Sequence, residues 1–308
     1  MKDNFLKRII LGNRKLSRFY CLCEDIPFKL ATLLSPKLNT TLRYYQANGV
    51  FPNYDNPKTF TEKLVWLKLY KYINDPLVIQ CADKYRVRAY VAEKGCANTL
   101  NELIGVYDNA YQIPWKELPN KFVLKWNFGA GMNIICTNKE LLDINSTIRK
   151  LNKWGKTKYW LNHSEMQYKH IPRKIICEKF LENTGDSVIP DYKVYCFNGE
   201  PLAILVMHER GKGVKSEFFD REWNMLQNTK KYQTPRERTP KPACFDRMIE
   251  VSKKLSKPFP FVRCDFYVVN SQIVFGELTF TPAGGVLTSQ TMINGKEMGE
   301  YLSLDNTK

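Results

Sequence analysis

The sequence predicts an α+β protein built on antiparallel sheets, and three observations carry that expectation. Runs with period-2 alternation fall at 121–137, 174–207 and 262–280, the pattern of strands with two distinct faces. Turn signals join neighbouring runs: Gly129-Ala130-Gly131, Asn198-Gly199 and Asn270-Ser271, as in hairpins. Helix-like segments precede and interrupt these runs without the regular alternation that a parallel sheet requires. At 308 residues the chain is long enough for a sizeable core and for more than one subdomain.

The elements follow in order. The first 45 residues interleave Lys2, Lys7, Arg8, Arg14, Lys15 and Arg18 with Phe5, Leu6, Ile9, Ile10, Leu11 and Phe19. That mixture fits an interfacial helix on an anionic membrane, and equally a helix packed on the body with a solvated basic face. Residues 51–58 are turn-rich. Thr59-x-x-Glu62 has the form of a capping box and predicts a helix to about Ile73. Asp83 is placed to cap a second helix ending at Gly95. Residues 96–120, with two prolines and a short LIGVY run, are expected as loop, and 138–170 as a polar helical region. Strands are expected at about 174–181, 191–198 and 201–207, a charged loop or flap at 208–242, and a helix at 243–256. The corresponding division is a basic N-terminal segment (1–50), a helical region (51–118), a subdomain with the glycine loop (119–182) and a C-terminal subdomain (183–308).

Apolar residues make up 44% and aromatics 13% of the chain, so it folds rather than remaining disordered. No apolar run approaches the roughly 20 residues that span a bilayer, and no secretory signal is evident. The nine cysteines are odd in number and scattered. Cys177 and Cys264 sit in alternating runs where a thiol acts as a small apolar group. This usage predicts reduced thiols and a cytoplasmic protein, peripheral at the inner membrane face if the N-terminal segment binds lipid. The net charge of +16 draws anionic partners. No nucleic-acid-binding motif accompanies it, so nucleic acid is not expected.

The chemistry-bearing residues concentrate in 262–285. Arg263 and Asp265 alternate with Val262 and Cys264, while Ile273, Phe275, Glu277 and Thr279 form an alternating set on the next run. A hairpin brings Asp265 and Glu277 side by side. Two adjacent carboxylates repel unless a cation lies between them, and hard oxygens suit Mg²⁺ carrying nucleotide phosphates. The alternative is a pair of ordinary solvated acids, for which mutation changes turnover and stability little; on the repulsion argument, Asp265→Asn abolishes turnover and leaves the metal-free fold intact or slightly more stable. Lys125 precedes Gly129 and Gly131, whose backbone can approach phosphates closely, although no P-loop pattern is present; a plain hairpin turn is the alternative. Glu178 and Lys179 end one strand, and Asp191 and Lys193 share a face of the next. His163, His170 and His208 lack the spacing of a zinc site, and no nucleophile elbow is found.

Taken in order, ADKYRV, FVLKWNFGAG, IICEKFL, DYKVYCFNGEP and VRCDFYVV…VFGELTFTPAGG resemble an ATP-grasp enzyme. With NPKTFTEKLVWLKLY at 56–70, they resemble the TupA-like ATP-grasp family of bacterial polysaccharide clusters over roughly residues 40–300. The resemblance implies an ATP-grasp fold, with nucleotide held between two antiparallel sheets behind a mainly helical N-terminal region. It implies ATP and Mg²⁺. Lys84 and Lys125 would contact phosphates, and Gly129 and Gly131 would close over them. Glu178, Lys179 and Leu181 would line the adenine site, Asp191 would reach the ribose, and Lys193 would face the nucleotide. Asp265, Glu277 and Thr279 would hold metal, while Arg263 and Arg210 would act on the γ-phosphate or the developing anion. Two positions depart from the family pattern: Thr279 replaces the usual asparagine, and Phe128 replaces a polar residue in the glycine loop. The implied reaction is ATP-dependent ligation of a carboxylate to an amine, with an acidic sugar and an amino acid or amine as substrates. Phosphoryl transfer to a hydroxyl, a glycosyltransferase role and non-enzymatic binding to membrane or nucleic acid remain the alternatives.

Overall fold

The computed structural model describes residues 25–182, 189–208, 214–226, 237–287 and 292–305. Helices α1 (25–34) and α2 (Pro36–Asn48) meet at Ser35, whose hydroxyl accepts from the Leu38 N–H, and α2 stops at Gly49 in the left-handed region. The capping box forms as the sequence predicts. Thr59 and Glu62 satisfy each other's backbone N–H groups at the start of α3 (Phe60–Trp66), which runs on through one π-helical stretch to Lys71. Asp75 caps α4 (Pro76–Ala82). Asp83 does not cap its helix directly: its carboxylate accepts from Tyr85 and Arg86 in the turn that leads into α5 (Val87–Glu93).

The first sheet is antiparallel, with order β1-β4-β2-β3, built from β1 (Leu103–Tyr107), β2 (Phe122–Trp126), β3 (Asn133–Cys136) and β4 (Ile175–Lys179). Strand β1 corrects the loop expected over 96–120. Its five residues are all half-buried, and its pairing with β4 slips at Gly105, so neither alternation nor a long run announced it. In 138–170 only α6 (Ile144–Gly155) is α-helical, and the rest turns through short 3₁₀ segments. The Leu151 carbonyl on α6 accepts from the Trp126 indole at 2.9 Å, which ties the helix to β2.

The second sheet, also antiparallel, has the order β7-β6-β5-β8-β9. Its strands are β5 (Asp191–Phe197), β6 (Glu200–His208), β7 (Lys215–Asp220), β8 (Phe261–Val269) and β9 (Gln272–Thr279). Strand β7 corrects the flap expected over 208–242. Lys215, Glu217 and Asp220 give it the composition of a loop, yet Phe218 and Phe219 are buried and the Glu217 carboxylate is held inside by Thr239. Helix α7 (Phe245–Ser256) covers one face of this sheet, where Val194, Cys196, Val262, Cys264 and Phe266 are buried. The opposite face carries Asp191, Lys193, Arg263 and Asp265. A short hairpin, β10 (Met292–Ile293) with β11 (Lys296–Glu297), returns the chain to α3. There Lys63 donates to the carbonyls of Gly299 and Leu302 at 2.8 and 2.7 Å. Among the described residues, no helix is long and apolar enough to cross a membrane.

Candidate nucleotide and metal site

Asp265 and Glu277 are direct cross-strand partners, but simple alternation does not bring them together. The turn Asn270-Ser271 sets a register in which Phe266 faces Phe275; continued unbroken, it would put Asp265 opposite Gly276. The register shifts at this point, and Gly276 is the extra residue. A bulge changes the parity of a strand. Phe275 therefore joins Phe266 on the core face, while Glu277 and Thr279 join Asp265 and Arg263 on the other. The single alternating set expected for Ile273, Phe275, Glu277 and Thr279 is split between two faces. Glycine suits the position because a Cβ at 276 would lie 3.0 Å from the Asp265 carbonyl oxygen.

The two acids do not sit in unrelieved repulsion. Arg263 grips Asp265 with two bonds of 2.6 Å, and Lys193 on β5 donates to it at 2.7 Å. Burial acts to raise the Asp265 carboxyl, but Arg263 and Lys193 outweigh it and hold the group below the ordinary carboxylate range. The same pairing, working against burial, drives the Arg263 guanidinium upward. Glu277 is more open, with 36% of its side chain exposed, and Lys84 lies 3.5 Å away. Lys84 offsets both burial and the nearby Asp265, so Glu277 also lies below its usual value. The Thr279 hydroxyl stands between Arg263 at 3.2 Å and Glu277 at 3.3 Å.

Lys84 links the acids to the glycine loop. Its ammonium donates to the Gly129 carbonyl at 2.5 Å while facing Glu277. Behind it, Asn127 is fully buried and bonded to Asp83 and to the backbone at Pro172 and Lys174. The loop is thereby anchored at its base, while Gly129 and Gly131 adopt φ of 66° and 75°. Phe128 is a packing residue: it is buried against Trp126, and the Arg173 guanidinium lies over its ring.

The remaining residues divide. Lys125 donates to Glu178 at 2.7 Å, with Arg88 at 3.6 Å from the same carboxylate. Glu178 points inward, whereas Lys179 is exposed and faces Glu102 at 3.2 Å. Leu181 is half-buried just beyond β4. Asp191 lies 3.4 Å from Lys193, and both are buried. Arg210 lies outside the described residues.

A family model described as TupA-like ATPgrasp matches residues 62–303. The chain belongs to this family. Two sheets that face each other through Lys84 and the glycine loop give it the ATP-grasp fold. No curated protein matches the chain. Among solved structures, D-alanine–D-alanine ligase from Bacillus anthracis complexed with ATP is 13% identical, with TM-score 0.41, over 65% of this chain and 55% of that one. L-amino acid ligase from Bacillus licheniformis is 12% identical, with TM-score 0.45, over 74% and 50%. The chain thus spans about half the length of these structures.

Among the described residues of this TupA-like ATP-grasp protein no group of three or more His, Cys, Asp or Glu side chains gathers as a metal centre, so a hard cation here would also need oxygens from the nucleotide. Asp265, Glu277 and Thr279 present oxygens on one face, and Glu277 keeps lone pairs that no described residue claims. Beside them lies a buried group that sequence reasoning missed. Lys68 donates to the carbonyls of His163 and Gly284 at 2.9 and 2.8 Å, and the Thr281 hydroxyl donates to Glu165 at 2.7 Å. Lys68 is four residues from Leu64, which placed it on the apolar face of α3 in plain sight. Nothing local in the sequence marks Glu165.

Proposed function

We propose that this chain is an ATP-dependent carboxylate–amine ligase, acting on an acidic sugar and an amino acid or amine in bacterial surface polysaccharide synthesis. The observation that carries the reading is Lys84, which spans the glycine loop and the acid pair. The triphosphate then lies between the two sheets, with Lys84 and Lys125 on its phosphates. Lys193 and Arg263 add positive charge on the same side. Glu178, Lys179, Leu181 and Asp191 border the nucleoside end. Asp265, Glu277 and Thr279 would hold Mg²⁺, which when bound neutralises charge on the phosphates.

A substrate carboxylate oxygen attacks the γ-phosphorus, the bond to the β-phosphate oxygen breaks, and ADP leaves an acylphosphate. The amine nitrogen then attacks the acyl carbon, loses a proton, and expels phosphate to give an amide. Phosphorylation is needed because a free carboxylate offers no usable leaving group. Lysine and arginine side chains spread the developing charge of in-line transfer. Arg263 is fixed by its bidentate hold on Asp265, so it reaches the tetrahedral oxyanion without reorganising; a well-placed donor of this kind contributes about 3–4 kcal/mol.

A mass-spectrometric screen of uronic acids against amines, with ATP and Mg²⁺, tests the reading. The expected result is an amide product with ADP and phosphate released in equal amounts. A product that retains the phosphate makes the enzyme a kinase instead.

A further inference from the structure

The N-terminal helix pair buries several polar side chains and leaves its leucines exposed. Soluble helices bury their apolar face and expose their polar one. In α1 and α2 the buried residues include Thr32, Asn39 and Thr40. Thr32 bonds to the Leu161 carbonyl at 2.8 Å and to Ser164 at 2.9 Å, and Asn39 bonds to the Phe28 carbonyl at 2.7 Å. The pair is therefore fixed to the body by these polar groups together with the buried Ala31 and Tyr44. The outward side is aliphatic. Ile26, Leu30, Leu33 and Leu34 share one face of α1, and Leu38 and Leu42 continue it on α2. Leu34 is 81% exposed.

A contiguous apolar face of this kind marks a docking surface. Lys29 and Lys37 lie on the same two helices. The 24 residues that precede them carry Lys2, Lys7, Arg8, Arg14, Lys15 and Arg18 against only Asp3 and Glu24. We infer that this face seats the protein on an anionic bilayer surface. The aliphatic side chains enter the headgroup boundary while the basic residues meet acidic lipid. Charge selects this occupant. A second copy would bring two strongly basic segments together in a protein of net charge +16, whereas an anionic surface attracts them. Nucleic acid is disfavoured because the face is mainly aliphatic, and Tyr45, the exposed ring that follows Leu42 on α2, is already stacked on Phe51 at 4.6 Å.

The experiment uses the full chain with vesicles of phosphatidylcholine alone and of phosphatidylcholine mixed with phosphatidylglycerol. The wild type is expected to co-sediment only with the anionic vesicles and to come off in high salt. Leu30→Glu with Leu34→Glu should weaken partitioning roughly tenfold or more, since two aliphatic side chains no longer enter the boundary. ATP binding by the same double variant should match the wild type, because both side chains point to solvent and neither contacts a residue assigned to the nucleotide site. In a separate Leu34→Trp variant, the new indole should be quenched by lipids brominated along the acyl chain. Absence of wild-type binding overturns the inference, as does wild-type partitioning by the double variant. So does an unquenched indole on bound protein, which would leave the contact to the basic segment alone. Two further results also overturn it. Concentration-dependent dimerisation that the leucine substitutions abolish assigns the face to a second copy. Shielding of the lipid-free indole from an aqueous quencher assigns it to residues 1–24.

Discussion

Asp265→Asn separates the geometry of the site from the simpler picture of two repelling acids. Repulsion alone predicts an unchanged or higher melting temperature once a charge is removed. The structure reverses the sign. The carboxylate is 5% exposed and is held by Arg263 twice at 2.6 Å and by Lys193 at 2.7 Å. An amide in its place leaves two buried cations without their shared counter-charge. Removing one partner of a buried pair costs about 3–5 kcal/mol. Lys193 still has Asp191 at 3.4 Å, so the lower end applies, about 3 kcal/mol. For a chain of 308 residues that corresponds to a fall of about 5 °C in metal-free melting temperature. Glu277→Gln provides the contrast. Its side chain is 36% exposed and its partner Lys84 is 3.5 Å away, so solvent screening keeps the effect within about 1 kcal/mol. Both variants should lose Mg²⁺-dependent ADP formation. Asp265 has a depressed pKa in the folded state. Its stabilisation is therefore complete above the unfolded value, about 3.9, and is lost as pH falls through the folded value. The gap between wild type and Asp265→Asn should stay constant near neutrality and narrow only in acid. A variant that melts with the wild type at pH 7 would refute the reasoning.

Three further outcomes are expected. Lys125→Ala should remain folded, because Arg88 still faces Glu178 at 3.6 Å, yet bind ATP more weakly by calorimetry; unchanged affinity removes Lys125 from the site. Gly131→Ala should cost about 1–2 kcal/mol for its left-handed backbone alone, since no atom lies within 4 Å of the added methyl. Gly129→Ala should cost more and raise the KM for ATP, because its methyl would come within 2.6 Å of the Tyr159 ring; equal melting temperatures for the two variants would contradict this. Burial, with Arg43 and Lys68 nearby, pushes His163 down to about 4. The unfolded chain takes up this proton near pH 6.5 and the folded one resists it. Wild-type stability should therefore fall on acidification from about pH 6.5 to 4, relative to His163→Gln, in urea melts at both ends of that range.

What the sequence made legible follows from how each element is encoded. The capping box before α3, the strands at 175–179 and 191–197 and the two hairpins carry their signals within a few residues, and each appears where the pattern put it. β1 and β7 escaped because tertiary pairing, not local pattern, makes them strands; their side chains look like loop until a neighbour covers them. The acid pair is a subtler case. Asp265 and Glu277 were recognisable as partners, but the alternation invoked to join them would have left Glu277 opposite Cys264 on the core face. Gly276 reconciles the two: an isolated glycine inside a strand pattern is the usual sign of a bulge, and here it delivers the carboxylate to the site. Lys193 reads from the sequence as a nucleotide contact or as the partner of Asp191 in an ion pair. The pair forms, buried rather than exposed, and the further bond to Asp265 makes Lys193 part of what stabilises that acid before any ligand arrives. That contact crosses from β5 to β8, between residues 72 positions apart. Spacing along one strand could place Lys193 on a face, but only the strand order β5-β8-β9 brings it to Asp265 and gives this carboxylate a structural role together with its chemical one.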